Sequence, residues 1–151
     1  MMIGFIFAVK PLAFRGFDLE SSNEIYGRGD YLIVLGSSAL NSFLTNENLG
    51  GDFVKFKQSQ GFNVNIIAYD DLGFTTPEQL RDYIHLNYNN GMLEYVLFIG
   101  DVNGAFAIPP FTIQSYNEQE IDVTDYPYTF TDVNEYQNPK FLTGRWPIRD
   151  I

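Results

Sequence analysis

Tyr31-Leu32-Ile33-Val34-Leu35, followed at once by Gly36-Ser37-Ser38, is the stretch on which the fold turns. A strand with one wet face alternates apolar and polar residues, whereas a continuous apolar run suits a strand covered on both faces by helices. This run therefore reads as the central strand of a sheet, broken by the Gly-Ser-Ser turn. Downstream, Phe53, Phe56 and Lys57 fall three and four apart and predict a helix, delayed by Gly50-Gly51 and closed by Gly61. Phe62 to Ala68 alternates and then becomes solidly apolar, which predicts a second strand. Thr75-Thr76-Pro77-Glu78 starts a second helix: a hydroxyl to accept an orphan N–H, a proline where the missing donor costs nothing, and an acid at the positive end of the dipole. Leu80, Tyr83, Ile84 and Tyr88 share one face of it, and Asn89-Asn90-Gly91 ends it.

Tyr95-Val96-Leu97-Phe98-Ile99 is a third buried strand, ended by Gly100-Asp101. Strand, helix, strand, helix, strand makes two right-handed crossovers, so the fold class is α/β: a three-layer sandwich on a mostly parallel sheet of order 2-1-3. A further strand is expected near Lys140 to Gly144. Between them, Val102 to Asn138 dissolves into Pro, Gly, Asp, Tyr and Asn, a length of loop that is usually functional or holds short irregular strands. Upstream, residues 1–29 read as an N-terminal arm or edge strand plus a linker, leaving 30–151 as one α/β unit. The chain shows no internal repeat.

Composition narrows the function. Nineteen acidic residues against nine basic give a formal charge of -10, a field that repels nucleic acid and anionic lipid. The longest apolar run near the start, Ile3 to Val9, is far short of the about 20 residues that span a bilayer. It also lacks the basic flank and small-residue cleavage site of a signal peptide. The 151 residues include no cysteine, which excludes disulfides, zinc-thiolate sites and a thiol nucleophile within the chain.

Several segments resemble the gingipain-like cysteine peptidases, family C25. Tyr95 to Asp101 is similar to the family's strand ending in Gly-Asp. Phe53-Val-Lys-Phe-Lys57 with Gly61-Phe-Asn-Val64 is similar to its helix-into-strand pattern, and Thr75 to Glu78 with Ile84 to its second helix. Asp125-Tyr126 through Asp132 resembles its acidic, tyrosine-rich loop, and Gly144-Arg145-Trp146-Pro147 its closing Gly-Arg-x-Pro turn. The resemblance implies a flavodoxin-like, caspase-like subdomain, the first of two in a secreted or cell-surface endopeptidase. The second holds the catalytic His and Cys. It also implies that the partner is the missing C-terminal catalytic subdomain, that the parent's substrate is protein, and that the exposed contact surface is open to homodimer formation. No catalytic residue can be placed here: the Cys is absent, and nothing matches the family's Gly-His-Gly-like motif.

The residues themselves offer few chemical candidates. His85, the only histidine, lies between Ile84 and Leu86 on a predicted helix, and a packed helix residue explains it. Asp101 sits at a strand's carboxyl end, where open α/β sheets place ligands, although capping the next loop needs the same residue. Asp101, Asp122, Asp125 and Asp132 supply hard oxygen ligands of the kind Ca²⁺ takes, so a structural Ca²⁺ on these four is the expected metal site. Gly36-Ser37-Ser38 suits an anion at a helix start, but a strand-to-helix turn requires those residues anyway, and no flavin or nucleotide is expected. The alternative to the peptidase reading is a stand-alone flavodoxin-like or receiver-like binding module.

Overall fold

The structure, a computed structural model, describes residues 27–45, 52–88, 92–116 and 119–149. The expected N-terminal arm, the Gly50-Gly51 pair and the Asn89-Asn90-Gly91 stop lie outside them. The strands are β1 (Asp30–Leu35), β2 (Asn63–Ala68), β3 (Leu93–Ile99), β4 (Phe111–Gln114), β5 (Ile121–Thr124) and β6 (Leu142–Trp146). The α-helices are α1 (Asn41–Thr45), α2 (Phe53–Ser59), α3 (Tyr69–Leu72) and α4 (Pro77–Asn87).

A four-stranded sheet has the order β2-β1-β3-β6, and each neighbouring pair is parallel. β1 is buried from Tyr31 to Leu35, as its unbroken apolar run requires. Its alternate side chains feed two cores. Leu32 and Val34 join Leu80 and Ile84 of α4, Val96, Phe98, Ile108, Tyr128 and Phe141 on one face. Tyr31, Ile33 and Leu35 join Leu40, Leu44, Phe62, Leu97 and Ile99 on the other, with Phe53 and Val54 of α2 packed against them. A short helical layer thus covers each face, which makes the α/β reading concrete.

Local chemistry sets the helix ends. Asp52 caps α2 by accepting from the Lys55 amide at 2.9 Å, and Gly61 closes the turn beyond it with φ 91°. α4 begins in a full capping box: the Thr76 hydroxyl accepts from the Gln79 amide, and the Gln79 side chain accepts from the Thr76 amide. The helix thus starts where Thr75-Thr76-Pro77-Glu78 predicts, with Gln79 as the reciprocal partner of Thr76.

The fourth sheet strand begins two residues later than expected. Phe141 is not in the strand because its ring is buried beneath the sheet beside His85, with centroids 5.2 Å apart. Lys140 meanwhile donates its amide to the Thr129 carbonyl. The long segment after β3 holds a separate antiparallel ribbon, β4 with β5, and 3-10 turns at Tyr126–Thr129 and Val133–Glu135. It takes the place of a crossover helix between β3 and β6, and its buried Tyr128 lies against Phe98 at 4.7 Å.

Candidate functional site

The carboxyl ends of β1 and β3 are the place where a sheet of this order would receive a ligand. Here the chain fills that place itself. An ideal Cβ on Gly36 would lie 2.0 Å from the Phe106 carbonyl oxygen, and one on Gly100 would lie 2.2 Å from the same atom. Two glycines therefore admit the backbone of the loop after β3 directly onto the strand ends. The Gly36 amide is also taken, donating to the Ile99 carbonyl at 2.8 Å.

The turn after β1 is likewise occupied. The Ser38 amide donates to both carboxylate oxygens of Asp70, at 3.0 and 3.1 Å, and the Ser37 hydroxyl accepts from the Ala39 amide. A carboxylate from α3 thus holds the position that an anionic ligand would take at this turn, and like charges repel. Asp70 and this turn are 32 residues apart, a separation that leaves no local pattern in the sequence.

Arg145, the second residue of Gly144-Arg145-Trp146-Pro147, is the polar centre of this end of the sheet. Its Nε and Nη2 donate in a fork to Asp125 Oδ2 and Oδ1 at 2.8 and 2.7 Å. Its Nη1 lies 3.1 Å from the Gly100 carbonyl, 3.2 Å from that of Asp101 and 3.1 Å from that of Ile108. The guanidinium stacks over Phe98 at 5.3 Å. Side-chain exposure of 12% for Arg145 and 17% for Asp125 makes this a largely desolvated pair. One side chain so joins β6, the end of β3, the loop that returns at Ile108, and the turn at Asp125.

Asp101 is held by the same closing segment. Its Oδ1 accepts from the Val102 amide at 2.7 Å, the loop-capping bond, and its Oδ2 pairs with Arg149 Nε at 2.8 Å. The Val102 amide first, and then Arg149, keep the Asp101 carboxyl below the usual carboxylate range.

The four carboxylates expected to share a metal are therefore committed separately. Asp125 faces Arg145, Asp101 faces Arg149, Asp132 accepts from the amide of Asn134, and Asp122 is exposed on β5 opposite Ile113. Among the described residues, no group of three or more His, Cys, Asp or Glu side chains is placed to hold a metal ion. A Ca²⁺ shared by these residues would have to open both arginine pairs. The measurement is a calcium titration of the melting temperature. The arginine pairs predict no rise, and a rise reversed by a chelator would show that they give way to the ion.

His85 has a structural partner. Its Nε2 lies 2.8 Å from the Tyr128 carbonyl, and since a carbonyl only accepts, the proton of the neutral ring sits on Nε2. Burial lowers its pKa from the usual 6.5, opposed by the bond to Tyr128, with the nearby Arg81 also lowering it. Because the folded state disfavours the proton, stability is full above about pH 6.5 and falls as the pH drops below it. We expect the melting temperature to decline between pH 7 and pH 5.5, and less so in His85→Gln, which keeps a donor but does not titrate. Equal declines in the two proteins would remove His85 as the cause.

The one histidine of the chain, His85, faces a backbone carbonyl and not a hydroxyl, and the Ser38 hydroxyl lies 3.4 Å from Asp70, a carboxylate already bound to the Ser38 amide. The model of peptidase family C25 matches residues 26–151. The chain belongs to peptidase family C25. No curated protein and no solved structure matches it. The C25 match covers β1 through β6 and the loop plugging the sheet, and the matched residues include no cysteine. What the C25 sequence places at the sheet's carboxyl end is a set of glycines, carboxylates and arginines that bind one another. Among the described residues, no helix is long and apolar enough to cross a membrane.

Proposed function

We propose that this chain is the N-terminal, non-catalytic α/β subdomain of a secreted or cell-surface gingipain-like cysteine endopeptidase. Its work is to brace a C-terminal catalytic subdomain that acts on protein substrates. The observation that carries this is a C25 match over most of the chain in a sequence without a single cysteine. A thiol mechanism needs its sulfur, so the chemistry belongs to another part of the parent protein.

The surface best suited to that partner is the outer side of β6. Among the described residues β6 pairs only with β3, so its other edge presents unpaired N–H and C=O groups. Register puts Leu142, Gly144 and Trp146 on the face shared by Leu97 and Ile99, where Leu142 is 57% and Trp146 44% exposed. Edge strands that stay in water usually carry outward charge. The charged side chain of β6, Arg145, is turned inward onto Asp125 instead. A strand edge flanked by apolar side chains fits side-by-side packing of a second α/β subdomain, and in isolation the same edge favours a homodimer.

The alternative, a stand-alone flavodoxin-like or receiver-like module, is weakened by the Phe106 carbonyl over the strand ends and by Asp70 at the Ser38 amide. Reading the coding frame past Ile151 separates the two. Continuation into a Gly-His-Gly-like turn and a later cysteine supports the peptidase reading, and a stop codon defeats it in favour of the module. Protease-free preparations of this chain are expected to release no product from a peptide substrate. Sustained hydrolysis would overturn the assignment of catalysis to another segment.

A further inference from the structure

We draw no further inference here: the strongest candidate outside the β6 face, the exposed apolar side chains Ile113, Ile121 and Val123 of the β4–β5 ribbon, carries nothing because nothing in the structure shows what covers them.

Discussion

Arg145→Ala is expected to lower stability by about 3 kcal/mol, near the lower end of what removing one partner of a buried ion pair costs. For a unit of this size that is a fall of roughly 10 °C in melting temperature. The loss has two parts. Asp125 would be left as a largely buried carboxylate without its cation, and the Gly100, Asp101 and Ile108 carbonyls would lose a common donor. Arg145→Lys should recover little of it, because an ammonium cannot reproduce the fork to both oxygens of Asp125. Thermal unfolding followed by circular dichroism measures the shift. The double variant Arg145→Met with Asp125→Leu separates the causes: removing both charges should cost less than Arg145→Ala alone. If Arg145→Lys melted like the parent, the shared fork would not be what holds this end of the sheet.

Gly36→Ala should be nearly as damaging, for a steric reason instead of an electrostatic one. The new methyl would meet the Phe106 carbonyl oxygen at 2.0 Å, so the loop must move off the ends of β1 and β3. Overpacking of this kind costs about 3 kcal/mol at the upper end of its usual range. Lifting the loop also threatens the bond from the Ile108 amide to the Asp101 carbonyl, now 2.9 Å. The urea midpoint should fall, and amide exchange at Ile108 should quicken. Gly27→Ala is the control, since its Cβ would meet nothing within 4 Å. A Gly36→Ala midpoint equal to that of the control would mean that the loop does not need to rest on the strands.

The sheet was readable because its inner strands announce themselves. Tyr31 to Leu35 and Tyr95 to Ile99 are continuous apolar runs, and with the first of them covered on both faces, two crossovers of the usual hand place it between the other two strands. The edge was harder. β6 buries little of its surface, and Leu-Thr-Gly-Arg-Trp has no strong period, so the buried Phe141 drew the expected strand two residues early. The long loop was expected to be functional or to hold short irregular strands, and it holds the β4–β5 ribbon; its position left no trace because Phe-Thr-Ile-Gln and Ile-Asp-Val-Thr are short and half polar.

The candidate site was legible only in its ingredients. Asp101 was placed at a strand end with a capping bond as one of its two readings, and the structure shows that bond to Val102. The carboxylates of the long loop are plain in the sequence, but their cations are not, because Asp125 and Asp101 meet Arg145 and Arg149 across 20 and 48 residues of chain. Pairing at such separations leaves no periodic trace. A signal did exist: the two arginines near the end of an acid-rich chain flank a proline turn directly after a short strand.

The position of Arg145 also bears on how a ribosome would deliver this sheet. The side chain that fastens the end of β3 is translated 45 residues after Gly100, whose carbonyl it binds. Until it emerges, the nascent chain can assemble β1, β2 and β3 but leaves the last of them with a bare flank and a loop held only by its own bond from Ile108 to Asp101. Closing so distant a contact is entropically slow. A ribosome stalled inside the Asp- and Tyr-rich stretch would therefore display a sticky intermediate, the kind of species on which holding chaperones act.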